Sequence, residues 1–170
     1  LGNDYNTTVV NLNEALFTSA VGYTITFTLT EPQRAVAITK SGTKGGDGVP
    51  LVLNVENGFV IDYGANQIRT ATEIYIYESP DNDPPILTNA TLNLGTGALV
   101  MIADETLDLT PITAAIFRNM TIANNTGDGL INLQGAQVEA YDRAIITFLL
   151  TEKQRVTAIQ ISGKTGGDGH

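Results

Sequence analysis

Cysteine and tryptophan are absent from this 170-residue chain, lysine and arginine together number 9, and the single histidine is the last residue, His170. Without cysteine there are no disulfides, no thiol nucleophile and no Cys-ligated zinc. The scarcity of cations against 18 acidic residues leaves a net charge of -9, which repels nucleic acid and anionic membranes, and no Lys/Arg cluster overrides that average. With no internal histidine, the four serines Ser19, Ser41, Ser79 and Ser162 have no base to activate them, which excludes a hydrolase triad. Asp104, Glu105 and Asp108 lie close together, but adjacent acids of this kind are usually solvated rather than paired for glycosidase chemistry. The chain therefore reads as a non-enzyme. No apolar run approaches the roughly 18 residues a membrane-crossing helix needs. The chain starts at Leu1 without a basic and apolar leader, as expected of a processed or excised piece of something longer.

What is present is Thr, Asn, Gly, Ile, Leu and Val in quantity, the composition of a β protein. Residues 1–49 align without a gap on 122–170, with 20 identities in 49 positions, a period of 121. The anchors are Thr30-Glu31-Pro32-Gln33-Arg34 against Thr151-Glu152-Lys153-Gln154-Arg155, and 41–48 against 162–169, both ending in Gly-Gly-Asp-Gly. A period of this size implies an array of whole domains rather than a solenoid of small units. Glu78-Ser79-Pro80-Asp81-Asn82-Asp83-Pro84-Pro85 disfavours both ladders and helices and marks the linker. The expected division is 1–82, the back of one repeat, and 83–170, the front of the next.

Within each copy the apolar period is two. Tyr23, Ile25, Phe27 and Leu29 alternate with Thr24, Thr26 and Thr28, which predicts a half-buried strand. Further strands are expected at 51–55, 73–77, 90–94 and 98–102, and many short strands with Gly and Asn turns read as a sandwich. Short helical turns are expected after Thr30 and Thr151, each with a Gln completing a capping box, and after Thr110-Pro111. The Gly-Gly-Asp-Gly elements lack the Gly-Lys-Ser/Thr ending of a phosphate loop and read as tight turns.

The segment Pro84-Pro85-Ile86-Leu87-Thr88-Asn89-Ala90-Thr91-Leu92-Asn93-Leu94-Gly95-Thr96-Gly97-Ala98-Leu99, followed by Thr-Glu-Lys-Gln-Arg and Ser-Gly-Lys-Thr-Gly-Gly-Asp-Gly, resembles the tandem Ig-like or cadherin-like repeats of large microbial and algal extracellular proteins. The resemblance covers nearly the whole chain. It departs from the pattern at Ala103-Asp104-Glu105, where an aromatic and Ser would precede the Glu. It implies an all-β, Ig-like or cadherin-like sandwich and an adhesive, cell-wall or fibrillar role outside the cell or at its surface.

Four sequons, at Asn6, Asn89, Asn119 and Asn124, are candidate N-glycan sites, with Asn89 expected on the face opposite Ala90, Leu92 and Leu94. Asp81-Asn82-Asp83 is similar to the calcium-binding linker of cadherins, for which Glu31, Asp104 and Glu105 are the available additional oxygen donors. In the second copy Thr24, Thr26 and Thr28 become Ile145, Thr147 and Leu149. This apolar outer face marks Ile145 and Leu149 as candidate contacts with another chain or the other domain. The expected function is a structural subunit of a glycosylated extracellular fibril or surface layer that assembles with itself, head to tail, by β-strand complementation. The alternative is a carbohydrate- or cell-binding adhesin module, for which Tyr75 and Tyr77 are the one aromatic pair sharing a face.

Overall fold

The computed structural model describes residues 9–110, 117–127, 129–138 and 142–167. It divides into two compact units, Leu1–Asp83 and Pro84–His170. The fold is β-rich, with ten strands and two α-helices among the described residues. One sheet has four strands and three have two. The turn expected after Thr110-Pro111 falls outside the described residues.

In the first unit, β1 (Leu16–Val21) and β2 (Thr24–Thr28) form an antiparallel hairpin whose Gly22 takes φ +62°, a left-handed conformation that suits a residue without Cβ. Helix α1 (Glu31–Thr39) follows, with Pro32 in its first turn. The Gln33 side-chain oxygen accepts hydrogen bonds from the Thr30 backbone N–H at 2.9 Å and its hydroxyl at 3.0 Å. At nine residues this is a full helix rather than the expected short turn. Strands β3 (Val52–Val55) and β4 (Ala71–Tyr75) form a second hairpin. Glu78 ties it to the loop after α1 by accepting from Gly42 N at 2.9 Å and Leu51 N at 2.6 Å.

The second unit carries β5 (Leu87–Asn93), β6 (Ala98–Leu107), β7 (Thr121–Ala123), β8 (Leu130–Asn132), β9 (Gln137–Val138), β10 (Arg143–Leu149) and α2 (Glu152–Gln160). The four-stranded sheet is antiparallel throughout, in the order β5-β6-β10-β9, with β7 and β8 forming a separate pair. Its inner face meets Ile131, Leu133 and Ala158, and Phe117 stands edge-on to Phe148 with ring centres 5.7 Å apart. Every buried hydrophobic residue among the described ones belongs to this unit.

The repeat is reproduced structurally. Phe27 pairs with Phe17 and Thr28 with Leu16 in the first unit, and Phe148 pairs with Val138 and Leu149 with Gln137 in the second, the same register 121 residues on. Gln33 Nε2 donates to Asn11 O at 2.7 Å, and Gln154 Nε2 donates to Asn132 O at 2.9 Å, again 121 residues apart. In the second copy Gln154 N also donates to the Thr151 hydroxyl at 3.3 Å, so the capping box is reciprocal.

Candidate assembly surface

The two copies differ in burial at positions where their residue types are the same. Ile25, Phe27 and Leu12 are 42%, 40% and 42% exposed, whereas Ile146, Phe148 and Leu133, the same residue types at the same repeat positions, are 3%, 2% and 1% exposed. The half-buried alternation expected for β2 therefore holds in β10 and not in β2, where every residue is exposed. The surroundings of the two strands differ. In the second unit β10 is flanked by β9 on one edge and by β6 on the other, and Ile146 and Phe148 share a face with their β6 partners Met101 and Leu99 in a core that also holds Ile131, Leu133 and Ala158. In the first unit β2 pairs with β1, and among the described residues no strand lies on its other edge. The strand Thr24-Ile25-Thr26-Phe27-Thr28 has no charge or proline to discourage pairing with another chain.

The conserved-in-register arginines differ in the same way. Both hold the glutamate three residues earlier, Arg34 with Glu31 and Arg155 with Glu152, each at 2.7 Å. The second nitrogen of Arg155 donates to Leu94 O at 2.9 Å, in the turn of the β5–β6 hairpin, and its stem lies where a Cβ on Gly97 would be, 3.4 Å away. The corresponding nitrogen of Arg34 instead contacts Asp81 at 2.6 Å. Hydrogen bonding from Arg34, followed by that from Asp83 N, holds the Asp81 carboxyl below its ordinary value. Neither the paired glutamines nor these arginines stood out as more than cap residues in the sequence, although their identity across the 121-residue offset was the available signal.

The outer face of the four-stranded sheet brings two sets of candidate residues together. Asn89 lies opposite Ile102, and Ile102 lies opposite Ile145, so the three form one cross-strand row. Ile145 and Leu149 are 52% and 47% exposed, with Val100 and Ile102 half-buried beside them. A glycan on Asn89 and a partner chain on Ile145 would compete for this row. Asn119 is exposed but sits in a 3-10 turn, Phe117–Asn119, rather than on the strand parity expected of it. Asn124 is half-buried, and its Oδ1 accepts from Gly129 N at 3.3 Å. Asn6 lies outside the described residues.

The candidate calcium ligands are already engaged in other ways. Asp81 accepts from Arg34 and, through Oδ1, from Asp83 N at 3.2 Å, while Asn82 Nδ2 faces Pro80 O at 3.4 Å. Asp104 pairs with Ile86, accepting from its N–H at 2.8 Å, and Glu105, the next residue along β6, points to the opposite face of the strand. Among the described residues no group of three or more His, Asp or Glu could hold a metal ion. The Ser41 to Gly48 loop follows the C-terminal, partially negative end of α1, a position unsuited to phosphate. A Cβ on Gly46 or Gly167 would collide with the Ser41 or Ser162 carbonyl oxygen, which explains the glycine in both copies.

Tyr75 and Tyr77 are 66% and 95% exposed and meet edge to face, 82° between ring planes. No helix among the described residues is long and apolar enough to cross a membrane. The chain matches no family model, no curated protein and no solved structure.

Proposed function

We propose that this protein is a non-enzymatic structural subunit of an extracellular fibril or surface layer, whose Ig-like or cadherin-like units join head to tail by sharing β-strands. The supporting observation is the pair of like residues on matching strands, Ile146 and Phe148 buried in a four-stranded sheet and Ile25 and Phe27 open in a two-stranded one. An open apolar face beside an uncharged strand edge is unstable alone and favours strand addition from a neighbour. A contact between the open strand of one unit and strands of the other unit of a neighbour is heterologous, and it extends into a filament where the rotation between copies does not close. N-linked glycans at Asn89, Asn119 and Asn124, and calcium at Asp81, Asn82 and Asp83, are accessory parts of this reading, and strand sharing requires neither.

Electron microscopy and sedimentation of the purified chain over a concentration series test the proposal. Filaments or a growing series of oligomers are expected, and a single monomeric species at all concentrations overturns it. The adhesin reading rests on Tyr75 and Tyr77. Their edge-to-face arrangement does not offer the flat platform on which a sugar ring stacks, and a glycan array that returns a saturable ligand lost in Tyr75→Ala would favour it instead.

A further inference from the structure

We infer that the outer face of the four-stranded sheet binds the same face of a second copy of this chain, the two sheets packing face to face about a two-fold axis that runs across the strands above Thr91, Val100 and Thr147. This is a lateral contact and goes beyond the head-to-tail strand sharing proposed above. The repeated strand has changed on this side alone. From β2 to β10 the inner isoleucine and phenylalanine are kept, while the outer Thr24 and Thr28 become Ile145 and Leu149. Both stay about half exposed, and a cluster of large aliphatic side chains left in water marks a contact surface. The strands that follow the helix in the repeat do not use this side. In the first unit Phe59, between β3 and β4, packs on Phe27 with ring centres 5.7 Å apart, on the side opposite Thr24, Thr26 and Thr28.

Charge and side-chain size select a second copy as the occupant. Three cross-strand rows make up the face: Asn89, Ile102 and Ile145; Thr91, Val100 and Thr147; Asn93, Ala98 and Leu149. None of these residues is charged in a chain of net charge -9, so two copies can meet here without setting like charges against each other. A two-fold axis along the middle row lays each strand on its own counterpart and exchanges the outer rows. Ile145 then meets the partner's Leu149, Ile102 meets the small side chain of the partner's Ala98, and Asn89 meets the partner's Asn93. Apolar groups face apolar groups, amides face amides, and large faces small, as interdigitated sheets about 10 Å apart require. An axis along β6 instead sets Asn89 against the partner's Ile145 and buries an amide on an aliphatic surface.

Nine positions, spaced about 4.8 Å across the strands and about 6.8 Å along them, cover roughly 300 Å². That is the size of the larger apolar patches found on monomers and below the roughly 800 Å² per partner of a standard interface. The contact is therefore weak by itself and fills when copies are concentrated. A sugar on Asn89 would stand within it, so the bare chain is the form that associates through this face.

Thr147 is exposed and, in this arrangement, meets its own counterpart. The test is sedimentation over a concentration series of the full chain from a host that adds no N-glycans. Thr147→Lys and Thr147→Glu are each expected to weaken association about tenfold by opposing like charges, and an equimolar mixture of the two to restore it to within about threefold of the unaltered chain. Thr147→Gln should leave association unchanged. Circular dichroism melts check the fold, and the same two substitutions at Thr91, which also meets its own counterpart, serve where the Thr147 variants do not fold. Unchanged association of both charged variants overturns the inference. So does a loss that mixing does not reverse, which would indicate that Thr147 faces some other residue. Oligomers that persist in both charged variants remove this face and leave strand sharing standing, whereas an unaltered chain that is monomeric at every concentration removes both.

Discussion

Phe27 and Phe148 are the same residue at the same repeat position, so truncating each in turn compares an open site with a buried one. A phenyl group brings about 150–250 Å² of mainly apolar surface, which at ~25 cal/mol/Å² amounts to about 4–6 kcal/mol when it is fully removed from water. Phe148 is 2% exposed and contacts Phe117 edge-on. Its loss leaves a closed cavity, and Phe148→Ala is expected to cost about 3–5 kcal/mol, the usual range for a buried phenylalanine. Phe27 is 40% exposed and touches Phe17 and Phe59. About three-fifths of the transfer term is at stake there, water fills the space, and extended-chain areas overstate burial, so Phe27→Ala is expected to cost about 1.5–2.5 kcal/mol. The gap of about 2 kcal/mol corresponds to roughly 30-fold in an opening equilibrium. Native-state hydrogen exchange read by mass spectrometry, at low protein concentration, reports each unit separately through the amides of β2 and β10. The expected outcome is a protection loss in β10 for Phe148→Ala roughly 30-fold greater than the loss in β2 for Phe27→Ala. Equal losses would refute the reasoning, because they would mean that Phe27 is as well covered in the free chain as Phe148.

Three other outcomes are expected. The Asp81 carboxyl is held below its ordinary value of 3.8, chiefly by Arg34, so its contribution is present above that pH and is lost as pH falls through the lower folded-state value; urea melts of Asp81→Asn should lack this part of the acid destabilisation of the first unit while the Glu152 and Arg155 pair leaves the second unit's acid limb unchanged. After passage through a eukaryotic secretory pathway, intact mass should exceed 18.1 kDa by glycans at Asn89, Asn119 and Asn124, and should return to the bare value when all three are changed to Gln; a bare mass for the unaltered chain would count against glycosylation. Ile145→Lys with Leu149→Lys should abolish or weaken self-association with a stability change within about 0.5 kcal/mol, as for exposed positions, and unchanged oligomer distributions in sedimentation would remove this outer face from the assembly.

The sequence by itself determined the local elements. Thr30 to Gln33 and Thr151 to Gln154 set the starts of both helices, because a capping box uses groups only three residues apart. The alternation of Ile25, Phe27 and Leu29 with threonines set a strand with one apolar side, and the offset of 121 residues set two copies of the same hairpin and helix. The sequence also indicated many short strands, although β5 and β6 run beyond the expected 90–94 and 98–102, to Leu87–Asn93 and Ala98–Leu107, through pairing with each other. Burial was a different matter. Ile25-Thr26-Phe27 and Ile146-Thr147-Phe148 are the same three residues, yet the first is open and the isoleucine and phenylalanine of the second are core. The alternation in the three residues does not separate them, because Ile146 is buried in a cluster with residues distant in the chain, among them Leu99, Leu109 and Ala158. The row Asn89, Ile102 and Ile145 likewise exists only through the pairing of three strands. Periodicity states which side of a strand is apolar, and only the tertiary packing against that side decides whether it is covered.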